Sequence, residues 1–171
     1  SVSGEDSLET TMAALGAQGR DMLQGLGATV APSARIECDP CLGNRVQDWS
    51  SAGIGADWVV GDEARLLCGV RHGIDGCPPH QSGFRMDPGS SFLVQAESPY
   101  GNVAFDKATR AIQEDAASAG RLRVGRDVVI AAGTRVEVTL EGNATLTIPD
   151  HTLVSGTIMK RVASGEHARI E

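Results

Sequence analysis

Aromatic side chains are scarce: two Trp, one Tyr and three Phe make up 4% of the 171 residues. A core built with so few large rings must be assembled mainly from aliphatic side chains. No stretch approaches the roughly 20 apolar residues that a membrane-spanning helix needs, so no membrane partner is expected. No charged-then-apolar leader opens the chain, and Ser1 fits removal of an initiator Met or of a longer propiece. Basic residues are outnumbered, 15 against 22, for a net charge of -7. An acidic chain repels phosphate backbones, which argues against nucleic acid as a partner. There is no Gly-x-Ser-x-Gly, no His-Glu-x-x-His and no glycine-rich loop ending in Lys-Ser or Lys-Thr. The sequence therefore points away from an enzyme.

Glycine is abundant, at 21 residues spread along the length without an evident repeat. Such spacing predicts many tight turns and short strands. Candidate strands are 34–38, 57–60, 64–70, 91–96, 152–160 and 167–170, bounded by Gly, Pro, Asp and Ser clusters. Trp58 and Trp49 flank a glycine-rich turn and read as core anchors at strand ends.

Two helices are expected. Leu8, Met12, Leu15, Met22, Leu23 and Leu26 recur at spacings of three and four from the N-cap candidate Ser7, with Gly25 and Gly27 as stop signals. Glycines inside this segment make it marginal alone, so its stripe needs a partner, in its own domain or in a neighbouring subunit. A second helix fits 106–119, where Phe105, Ala108, Ile112 and Ala119 share a side and Gly120 follows.

Val136, Val138 and Leu140 alternate with polar residues, as do Ala144, Leu146 and Ile148. A three-residue loop, Glu141-Gly142-Asn143 with Asn143 left-handed, would pair these runs as a hairpin with one buried face. The expected fold class is therefore α+β and β-rich. It comprises an N-terminal helical arm (1–30), a Cys-rich strand and loop region (31–105), a central helix (106–120) and a small C-terminal β-barrel or sandwich (121–171).

The one chemical constellation is Cys38, Cys41, Cys68 and Cys77, with His72 and His80 close by. A Cys-x-x-Cys pair followed by a distant pair can present four tetrahedral ligands to a structural zinc. The eight residues between Cys68 and Cys77 make a long second knuckle, which His72 or His80 would relieve by replacing a cysteine. A Cys68–Cys77 disulfide and buried free thiols are the competing readings. His151 beside Asp150 and His167 beside Glu166 form no dyads, because neighbours on a strand face opposite ways.

Val129-Ile-Ala-Ala-Gly-Thr-Arg-Val-Glu-Val138 and Gly156-Thr-Ile-Met-Lys-Arg-Val-Ala-Ser-Gly-Glu-His-Ala-Arg-Ile170 resemble the small β-barrel decoration, or cement, proteins of tailed-phage capsids. The resemblance covers about residues 124–171. It implies a non-enzymatic structural protein of the virion that contacts the major capsid protein or itself, as a homo-oligomer or part of a larger assembly, with its N-terminal arm bridging neighbours. A zinc-stabilised module that binds a protein or small ligand is the alternative.

Overall fold

The structure, a computed structural model, describes residues 20–21, 23–38, 57–68, 74–75, 82–97, 103–106, 111–114 and 120–171, with backbone only for Cys38, Asp75, 103–106 and 111–114. One short sequence pattern organises it. Thr29-Val-Ala-Pro-Ser-Ala-Arg35, Val59-Val-Gly-Asp-Glu-Ala-Arg65, Arg85-Met-Asp-Pro-Gly-Ser-Ser91 and Val129-Ile-Ala-Ala-Gly-Thr-Arg135 each give a two-residue strand, a turn and a longer strand. The turns pass through left-handed residues at Glu63, Gly89 and Gly133. The small residue that follows each turn is buried: Ala34, Ala64, Ser90 and Thr134. Only a small side chain fits where the chain doubles so tightly onto its own core.

These units stack as rungs. The first two are β1 (Thr29–Val30) with β2 (Arg35–Cys38), and β3 (Val59–Val60) with β4 (Arg65–Cys68). The third is β5 (Ile74–Asp75), β6 (Arg85–Met86) and β7 (Ser91–Ala96). A hairpin, β8 (Val103–Asp106) and β9 (Ala111–Glu114), then interrupts the winding. The fourth rung is β10 (Gly120–Val124), β11 (Val129–Ile130) and β12 (Arg135–Leu140), and the fifth is β13 (Thr145–Ile148), β14 (Leu153–Val154) and β15 (Thr157–Val162). β16 (His167–Arg169) begins another turn.

Like strands lie on like strands, in parallel. Sheet 1 is β1-β3-β6-β11-β14, sheet 2 is β15-β12-β7-β4-β2, and sheet 3 is β16-β13-β10-β5. The chain is thus a β-solenoid of three sheets, with about three turns that supply a strand to each. Inward side chains form ladders, such as Val30, Val60, Met86, Ile130 and Val154 in register on sheet 1. All belong to one core cluster. Trp58, Phe84 and Phe92 meet edge to face at its centre, with ring centroids 5.7 and 6.4 Å apart. Trp58 is fully buried just before β3; Trp49 lies outside the described residues.

A helical stretch ends at Leu26 and closes on the core through Leu23, 0% exposed, and the half-buried Leu26. Its stop is a Schellman motif: Ala28 N donates to Leu23 O (3.0 Å) and Gly27 N to Gln24 O (3.1 Å), with Gly27 at φ 110°. Arg20 donates to the carbonyls of Ala34 (2.6 Å) and Ala31 (2.7 Å). The described end of this segment is therefore a lid on the first rung; residues 1–19 lie outside the described residues.

Four expectations need correction. The α+β barrel or sandwich with a helical arm is, among the described residues, a nearly all-parallel solenoid with almost no helix. The helix expected over 106–119 is replaced, where residues are described, by the antiparallel pair β8–β9, which matches Phe105 to Ile112. Glu141-Gly142-Asn143 joins two different sheets, with Gly142 rather than Asn143 left-handed at φ 49°. Val136, Val138, Leu140, Ala144, Leu146 and Ile148 are all buried as expected, but β12 pairs with β15 and β7, and β13 with β10 and β16. Lastly, 129–138 and 156–170 are solenoid rungs, so the fold supplies no barrel to support a capsid or virion placement.

Candidate functional site: the outer faces of sheets 2 and 3

Because strand side chains alternate, every second residue of a rung faces outward. On sheet 2 the register lines up two outward rows. One is Arg35, Arg65, Ser91, Arg135 and Thr157; the other is Glu37, Leu67, Leu93, Glu137 and Met159. The charged members pair along their own strands. Arg35 meets Glu37 at 3.1 Å and Arg135 meets Glu137 at 2.7 Å. The same arginine-then-acid spacing recurs at Arg85–Asp87 (2.7 Å) and Arg169–Glu171 (2.6 Å). These arginines stand 56–60% exposed, so each pair contributes little to stability.

The apolar members of the second row are unusual for an outer face. Leu67 is 6% exposed and Met159 is 63% exposed. Leu93 is half-buried between them in register, beside Glu137. A groove of about 280 Å³ opens beside Met159, walled by Leu93, Gln95, Glu137 and Thr139. Arg161 reaches Glu97 (3.2 Å) and Glu141 (3.9 Å) at its end, so both signs of charge surround it.

On sheet 3 the outward column is Arg121, Thr145 and His167, and the next is Arg123, Thr147 and Arg169. At the corner below, the Asn143 Oδ1 accepts from Gly165 N (2.8 Å) and Ser164 Oγ (3.0 Å), tying the fourth rung to the fifth.

Cys38 and Cys68 are register partners at the ends of β2 and β4. Cys68 is 0% exposed within the apolar cluster. Cys41, Cys77, His72 and His80 lie outside the described residues. Among the described residues no group of three or more His, Cys, Asp or Glu is arranged to hold a metal; of the expected zinc ligands only Cys68 has a described side chain, and it packs in the core beside its rung equivalent. His151 turns to Asp127 of the preceding rung, Nδ1 to Oδ2 3.3 Å, rather than to Asp150. Asp150 instead accepts from Arg126 N at 2.8 Å. At 70% and 57% exposure the His151–Asp127 contact is screened by water. No helix among the described residues is long and apolar enough to cross a membrane.

The register of the rungs, which brings these rows and columns together, was not legible from the sequence, because the strands that meet are far apart in the chain. No family model, curated protein or solved structure matches this chain.

Proposed function

We propose that this protein is a non-catalytic structural protein that self-associates through the outer face of sheet 2. One observation carries the reading: Leu93 and Met159 stand at outward positions of a single row with a groove beside the exposed Met159. A knob beside its own hole is self-complementary under a two-fold axis, since each copy offers both halves of the contact. The charges agree with a second copy as occupant. Glu137 and Lys160 line the groove with opposite signs, and the Arg135–Glu137 and Arg161–Glu141 pairs are balanced, so two such faces do not repel.

Magnitude sets the strength. Five strands about 4.8 Å apart, three of six residues and two of four, offer roughly 800 Å² between two copies, the size of a weak, transient contact. Full burial of a Met side chain is worth about 1.5–3 kcal/mol, so Met159 is the largest single contributor on this face. Sedimentation velocity over rising protein concentration tests the reading. The wild-type chain should pass from monomer to dimer and Met159→Glu should remain monomeric. A wild-type chain that stays monomeric, or a variant that associates equally well, rejects it.

A further inference from the structure

We propose that the outer face of sheet 3 carries an oxyanion-binding site, in which Arg121, Thr145 and His167 hold a phosphate or sulfate group. The three residues are register neighbours on β10, β13 and β16. Parallel strands lie about 4.8 Å apart, so the side chains span about 10 Å, a distance that a tetrahedral oxyanion and its donors can bridge. They line one pocket of about 230 Å³ together with Asn143 and Gly165.

Thr145 is the decisive residue. It stands at an outward position of β13, alternating with the inward Leu146, yet it is only 5% exposed. Its backbone N donates to Glu166 O at 3.0 Å, but its hydroxyl makes no hydrogen bond to any described residue. A buried hydroxyl without a partner is costly, and an oxyanion in the pocket would supply the missing acceptor.

The rest of the lining donates. Asn143 has its Oδ1 committed to Gly165 and Ser164, which leaves its NH₂ to face a ligand. His167 offers a ring N–H, and Arg121 a planar fork suited to two oxygens at once. Arg121 also interacts elsewhere, and Asp75 is its backbone neighbour; a guanidinium carries five N–H donors, so an oxyanion would share it with that interaction. Among the described residues no carboxylate lines the pocket. Arg123 stands one register step away and extends the local positive charge, whereas Arg169 is paired with Glu171 at 2.6 Å. In a chain of net charge -7 this face is where an anion would be steered.

The test is an amide-resolved NMR titration of the full chain with sodium phosphate, sodium sulfate and sodium acetate at constant ionic strength. Phosphate or sulfate should shift the amides of Arg121, Thr145 and Gly165 saturably, with a dissociation constant of about 1 mM or tighter. Removing a charge-assisted donor should weaken binding roughly tenfold or more in Arg121→Ala. Thr145→Val, which keeps the shape and removes only the hydroxyl, serves as the second variant and should also weaken it. Arg85→Ala, on sheet 1, should bind as the wild type does. Unsaturable shifts, equal affinity in Thr145→Val, or acetate binding as tightly as phosphate would overturn the site.

Discussion

Lys160 stands beside Val138 in the register of β12 and β15, at a position that faces the core. Val138 is 2% exposed, whereas Lys160 is exposed. β15 is an edge strand of sheet 2, and an edge offers unpaired N–H and C=O groups to any other strand. A lysine at an inward position on such a strand opposes edge-to-edge growth, because adding a strand would bury its ammonium group. Lys160→Val should therefore increase association through this edge, seen as higher-mass species in static light scattering. A variant as monodisperse as the wild type would show that Lys160 does not guard the edge.

Val138 and Thr139 are adjacent but face opposite ways, Val138 into the core and Thr139 toward the groove on sheet 2. Val138→Asp would place an unpaired carboxylate in the core and should cost several kcal/mol. Thr139→Asp should change stability by less than about 1 kcal/mol. Urea midpoints of the two variants check this, and equal losses would mean that the inward face of β12 is misassigned.

Two glycines separate crowding from backbone strain. A Cβ on Gly125 would lie 2.8 Å from the Asp150 Cα of the next rung, backbone that cannot swing aside. Gly133 has open space around it but a φ of +72°. Gly125→Ala should destabilise by about 1–3 kcal/mol through overpacking, and Gly133→Ala by about 1–2 kcal/mol through left-handed strain alone. In thermal unfolding Gly125→Ala should show the larger loss. The reverse order would place the tighter rung contact elsewhere.

Much of the strand content was legible. The expected strands at 34–38, 57–60, 64–70, 91–96, 152–160 and 167–170 overlap β2, β3, β4, β7, β14, β15 and β16. Partnership was not legible, for a physical reason. Alternation in Val136–Leu140 and Ala144–Ile148 fixes which face is buried, and a hairpin and a solenoid corner bury the same face. The repeat was hidden by unequal spacing: Thr29 pairs with Val59, Val59 with Arg85, Arg85 with Val129 and Val129 with Leu153. Those steps of 30, 26, 44 and 24 residues have no single period. Cys38 and Cys68 hold equivalent rung positions, so their proximity follows from the repeat. At the described residues 106 and 111–114 the helical spacing gave way to strand pairing that matches Phe105 to Ile112. Of the proposed anion site, Thr145 carried no signal at all, because its burial and its neighbours Arg121 and His167 arise only from the winding.

The parallel winding underlies both proposed surfaces, and one distance measurement addresses it. Spin labels introduced as unnatural amino acids, leaving the native cysteines in place, would be set at 137 and 159 in one sample and at 137 and 147 in another. The solenoid makes Glu137 and Met159 lateral neighbours on sheet 2, about 4.8 Å apart along the backbone, and puts Thr147 on sheet 3. The first pair should therefore give strong short-range dipolar coupling and the second a longer distance. A short distance for 137 and 147 with a long one for 137 and 159 is the signature of an antiparallel hairpin, and would contradict the solenoid together with the two faces assigned on it.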